Sequence, residues 1–220
     1  MHKTIENINY IQNQVNSKIL NSNNKNYSPK IIAISKTFKI DHILPLIDHG
    51  HIDFGENKVQ EAVEKWKDIK SNNKNIKLHM VGKLQSNKVK FALPLFDFIH
   101  SLDSLKLAKK ISEEQKKSEK KPKIFIQINI GDEPQKSGLE KDKLKDFYNK
   151  CIDLNLDIIG TMCLPPINKD PKYFFSEMQK INYSLNLKEI SMGMSEDYLD
   201  AIDYGSTYLR IGSKIFGSRN

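Results

Sequence analysis

Eight short apolar runs, most of them separated by stretches of helical spacing, follow one another along this chain and leave few folds open to it. The runs lie at 31–35, 52–54, 78–81, 98–101, 124–129, 157–161, 189–192 and 207–210. Helical patterns, with apolar residues recurring every three or four positions, cover 40–49, 57–70, 104–119, 141–154, 171–185 and 196–204. An earlier one at 4–20 carries Ile5, Ile8, Ile11, Val15 and Ile19 and runs into a polar Asn/Ser loop through Asn26. Strands alternating with helices demand a parallel sheet, because a parallel neighbour is reached only by a crossover. Eight units in 220 residues fit an α/β fold of one domain, 1–220: a compact (β/α)8 barrel with an extra N-terminal helix at about 4–20. An open doubly wound sheet is the other architecture this order allows. It lacks its usual fingerprint here, since Lys36-Thr37-Phe38-Lys39 stands where a Gly-rich turn would follow the first strand.

The formal charge of +8 raises nucleic acid as a partner. Arginine, the usual reader of base edges, argues against it: of 35 basic residues only Arg210 and Arg219 are arginines, leaving 33 lysines spread along every segment. No apolar run approaches the roughly 20 residues that span a bilayer, and the N-terminus lacks the apolar stretch of a secretory signal. Two cysteines, Cys151 and Cys163, suit a reducing compartment and form no metal set. A cytoplasmic protein without nucleic-acid or membrane partners is the expectation.

In a (β/α)8 barrel the chemistry sits at the C-terminal ends of the strands. Lys36 ends the first run on the same face as Ile32 and Ile34, since side chains alternate with a period of two. If that face lines the barrel, its amine stands at the mouth over an apolar floor, where it can attack a carbonyl. A lysine leaving a strand into solvent is the commoner case on position alone. Arg210 ends the last run, which lies beside the first once a barrel closes, so the two are expected to face each other across the mouth. Ser195 can N-cap the helical run that follows it and leave amides for an anion. Gly212-Ser213 opens a short segment in which the backbone can approach a phosphate closely. Glu196 and Asp197 must then point away from it. His79 is read either as pointing into the barrel or as a satisfied core histidine, and is not placed in the site.

These segments resemble a known family. Ala33-Ile34-Ser35-Lys36-Thr37, Phe54-Gly55-Glu56-Asn57-Lys58-Val59-Gln60-Glu61 and His79-Met80-Val81-Gly82-Lys83-Leu84-Gln85-Ser86-Asn87-Lys88 carry the likeness. So do Lys136-Ser137-Gly138, Ser191-Met192-Gly193-Met194-Ser195-Glu196-Asp197 and Leu209-Arg210-Ile211-Gly212-Ser213. In order and spacing they resemble the YggS/PROSC group of pyridoxal 5′-phosphate (PLP) homeostasis proteins over nearly the whole chain. The resemblance implies a fold-type III TIM barrel like that of alanine racemase, with PLP as cofactor. It implies that Lys36 forms the internal aldimine, that Asn57 lies near the ring and that Arg210 hydrogen-bonds the pyridine nitrogen. Ser195, Gly212 and Ser213 would hold the phosphate. Leu78 and Lys83 depart from the commoner pattern, at positions that are not proposed ligands. The implied role is to hold and carry PLP, with apo-enzymes as recipients. The chain ends at Asn220, where racemases of this fold continue into a domain that serves a partner's site, so a monomer with little racemase activity is expected. A PLP-dependent racemase or lyase is the alternative.

Overall fold

The computed structural model describes residues 2–21, 27–118 and 120–217. Most of the loop expected after the first helix, and Arg219, lie outside the described residues. Helix α1 (Lys3–Leu20) comes first, followed by β1 (Lys30–Ile34), α2 (Leu44–Asp48), β2 (Asp53–Glu56), α3 (Val59–Asn72) and β3 (Lys77–Met80). Next are α4 (Val89–Ala92), β4 (Phe98–Leu102), α5 (Leu105–Gln115), β5 (Lys123–Ile128), α6 (Leu144–Asp153) and β6 (Ile158–Cys163). Helix α7 (Pro171–Ser184), β7 (Glu189–Ser191), α8 (Tyr198–Asp203), β8 (Tyr208–Ile211) and α9 (Ser213–Phe216) complete the order. The strands pair in parallel and in sequence, and β8 closes onto β1. Closure excludes the open doubly wound sheet.

Strand parity sorts the side chains. Ile32, Ile34, Phe98, Phe125, Met162 and Tyr208 pack inside the barrel, and the alternate positions face the helices, as Phe54 does against Trp66. Gly55 makes room for the inner layer, since a Cβ there would lie 2.5 Å from Ile34 Cδ1. The expected N-terminal helix forms, burying Ile8, Ile11 and Val15. It is tied to the last helical turn by the Asn7 side-chain amide, which donates to Ile215 O at 2.9 Å, and to α8 by the Lys18–Asp203 ion pair at 2.8 Å.

One crossover escapes the periodic reading. Between β3 and β4 the chain makes a 3-10 turn (Ser86–Lys88) and the single turn of α4. Four residues are too few to display a 3.6-residue period, and Pro94 bars an extension. Among the described residues, no helix is long and apolar enough to cross a membrane.

Candidate functional site

At the C-terminal mouth of the barrel lies a cavity of about 530 Å³ whose wall includes Lys36, Asn57, Ser195, Arg210, Gly212 and Ser213. The structure thus gathers all six residues singled out from the sequence. Lys36 is half-buried and continues the inward face of Ile32 and Ile34. Its flanks are fastened to β2 and α3. Ser35 Oγ donates to Glu56 Oε1 at 2.8 Å, and Lys65 Nζ donates to Ser35 O at 3.0 Å. Glu56 is fully buried and takes two more bonds on the same oxygen, from Lys65 Nζ at 3.0 Å and Trp66 Nε1 at 2.9 Å. On the other flank Thr37 adopts φ 69°, which non-glycine residues seldom do. Its N–H is held by Glu61 Oε1 at 2.7 Å. The loop is therefore clamped on both sides of Lys36.

Arg210 is 5% exposed. Its Nη1 donates to Ser191 Oγ at 2.6 Å and its Nη2 to Cys163 O at 2.8 Å. The register refines the expected pairing, because Arg210 lies level with Ile32 and so deeper than Lys36, on the adjacent strand. The two share the cavity wall without facing each other across the mouth.

Ser195 corrects a second expectation. It is not the N-cap of α8, a position taken by Asp197. Its Oγ instead turns across the cavity to accept from the backbone N–H of Gly212 at 3.3 Å and of Lys214 at 3.5 Å. Both bonds are long, so these amides can turn to a stronger acceptor. Glu196 and Asp197, expected to turn away from a bound phosphate, also belong to the wall. Asp197 Oδ1 is engaged by Met194 N–H at 2.6 Å, and burial pushes its carboxyl above the usual range. On the facing side, Asn57 Oδ1 is buried and has no hydrogen-bond partner among the described residues.

Beneath the cavity a path of polar side chains runs through the otherwise apolar barrel interior. His79 points into the barrel and is also satisfied, so both readings of it meet. Its Nε2 lies 2.9 Å from Asp53 Oδ1 and its Nδ1 3.0 Å from His100 Nε2. His100 was not singled out, although it shares the parity of Phe98 and its ring stacks on Phe125. Both histidines are fully buried. Burial holds each below the ordinary histidine pKa, and for His100 the charges of His79 and Arg210 add to the effect. The unfolded chain then binds protons below pH ~6.5 that the folded chain refuses, so stability is full above that pH and falls on acidification. In urea unfolding, stability is expected to fall between pH 7 and 6. A flat profile over that interval would mean that neither ring is held neutral.

Residues 8–220 match the family described as alanine racemase, N-terminal domain. The chain is similar to the pyridoxal phosphate homeostasis protein of Haemophilus influenzae, with 34% identity over 97% of this chain and 95% of that one. It is similar to the human protein of the same name, with 35% identity over 87% and 77% of the two chains. Among solved structures it is similar to PipY of Synechococcus elongatus with PLP bound, at 30% identity and a TM-score of 0.81, over 92% of this chain and 100% of that one. Alanine racemase from Corynebacterium glutamicum, at 15% identity, shares the fold with a TM-score of 0.73 over 99% of this chain and 60% of its own.

Proposed function

The chain belongs to the family of pyridoxal phosphate homeostasis proteins, and on that premise we propose that it binds PLP at the barrel mouth, holds it reversibly on Lys36 and carries it within the cell. The observation that carries this reading is the meeting of Lys36, Asn57, Ser195, Arg210, Gly212 and Ser213 around one cavity. Its volume lies in the range of small-ligand sites, about 300–1,000 Å³. When bound, PLP supplies an aldehyde that a lysine amine captures as a Schiff base with loss of water, and an electron-accepting ring.

Each wall residue has a part that suits its chemistry. Lys36 provides the amine, on a loop clamped at Ser35 and Thr37. The Gly212 and Lys214 amides, Ser195 Oγ and Ser213 receive the phosphate, the amides exchanging their long bonds to Ser195 for charge-assisted ones. Asn57 lies beside the ring, and its orphaned Oδ1 accepts a ligand donor. Arg210 donates to the ring nitrogen. A guanidinium does not release its proton, so the ring stays a weak electron sink. That favours holding over turnover. One chain supplies all six residues, so a monomer suffices. Two buried free cysteines suit the cytoplasm, and apo-enzymes that need PLP are the recipients.

Purified protein mixed with PLP and freed of unbound cofactor by gel filtration is expected to keep a visible absorption band, and to restore activity to a PLP-requiring apo-enzyme added to it. Protein that leaves the column colourless overturns the reading. Rapid exchange of an amino acid's α-proton for solvent deuterium would replace it with that of a racemase or lyase.

A further inference from the structure

Arg210 carries a buried charge whose hydrogen-bond partners, among the described residues, are neutral: Ser191 Oγ and Cys163 O. Asp197 lends charge through space from its loop. A second carboxylate is connected through the barrel. Ser191 Oγ lies 2.9 Å from His100 Nδ1, His100 Nε2 lies 3.0 Å from His79 Nδ1, and His79 Nε2 lies 2.9 Å from Asp53 Oδ1. Asp53 opens β2, at the end of the barrel opposite the cavity.

The hydrogens along this path have one consistent order. An ionised carboxylate only accepts, so His79 Nε2 carries a proton and, in a neutral ring, Nδ1 is a lone pair. His100 must then donate from Nε2, which leaves its Nδ1 to accept from the Ser191 hydroxyl. Ser191 Oγ in turn accepts from Arg210. Every bond donates towards Asp53. The reversed order would turn a ring lone pair on the Asp53 carboxylate, and a doubly protonated ring is opposed by complete burial. Stacking of His79 on Phe98 and of His100 on Phe125, each with centroids 4.3 Å apart, fixes both ring planes.

We propose that Asp53, His79, His100 and Ser191 are positioning residues, a one-way hydrogen-bond chain that sets the Arg210 guanidinium from beneath and thereby tunes how the cavity holds a pyridine ring. The ligand half of this statement rests on the PLP reading above; the order of the protons does not. Aligned donors along such a chain polarise one another, so a change at Asp53 reaches Arg210 across the barrel.

Two measurements test it. In ligand-free ¹⁵N-labelled protein at neutral pH, long-range ¹H–¹⁵N correlation is expected to show His79 and His100 as neutral Nε2–H tautomers, assigned by His79→Gln and His100→Gln among the six histidines. An Nδ1–H or protonated form of either ring overturns the chain. Binding is then measured with pyridoxine 5′-phosphate, which has the ring and phosphate but no aldehyde for Lys36, and with inorganic phosphate. Ser191→Ala is expected to weaken pyridoxine 5′-phosphate about tenfold and Asp53→Asn about threefold, with inorganic phosphate unchanged for both. Equal loss for both ligands, or no loss in either variant, assigns these residues to packing and sinks the proposal. His79→Gln replaces Asp53→Asn should the latter not fold by circular dichroism. If the wild-type protein binds neither PLP nor pyridoxine 5′-phosphate, the PLP reading fails, and the two tautomers still decide the proton order.

Discussion

Lys36→Ala protein mixed with PLP and freed of unbound cofactor by gel filtration is expected to show no visible absorption band, and to bind the cofactor about 100-fold more weakly than wild type, a difference of about 2.7 kcal/mol. The amine contributes the covalent link, and Lys65 does not stand in for it, being committed to Glu56, Glu61 and Ser35 O. Binding of inorganic phosphate should persist, because the amides of Gly212 and Lys214 and Ser195 Oγ stand apart from Lys36 on the last two loops. Titration with absorbance and fluorescence detection separates these cases. A band of undiminished intensity in the variant would place the link on another amine.

Lys65→Met is expected to destabilise the protein by about 3–5 kcal/mol, because it strands a buried carboxylate. Glu56 is fully buried, its Oε1 already bears three donors, and its Oε2 has no partner among the described residues. Lys65 supplies the compensating charge from a side chain that is itself only 10% exposed. Urea unfolding measures the loss, and the chain's single tryptophan reports it locally, since Trp66 Nε1 donates to the same oxygen. Adding Glu56→Gln should recover much of the stability by removing the uncompensated charge. A cost below about 1 kcal/mol would mean that the pair is solvated like a surface ion pair. PLP affinity should fall with stability in Lys65→Met, because the same ammonium holds Ser35 O beside Lys36.

Much of this molecule is legible without its coordinates. All eight expected strands form within about two residues of their predicted places. The face of Lys36 follows from counting by twos from Ile32. Both rest on local periodicity, which each segment carries in its own residues. The short β3–β4 crossover carries too few residues to display any period, and it was missed. Ser195 was assigned a local capping role because capping is what neighbouring residues reveal. Its actual partners, the Gly212 and Lys214 amides, are 17 and 19 residues away.

The amino-acid sequence by itself therefore determined the order and type of the elements, the inward direction of Lys36 and the identity of the residues at the mouth. Only the tertiary structure decided that the sheet closes, since closure depends on β8 meeting β1 from the far end of the chain. It alone decided that Arg210 lies level with Ile32, below Lys36. It also decided that Asp53, His79, His100 and Ser191 form one path, with His100 and Ser191 91 residues apart. A period of two tells which way a side chain points. The level at which it meets its neighbours is set by strand register, and register is a property of the whole barrel.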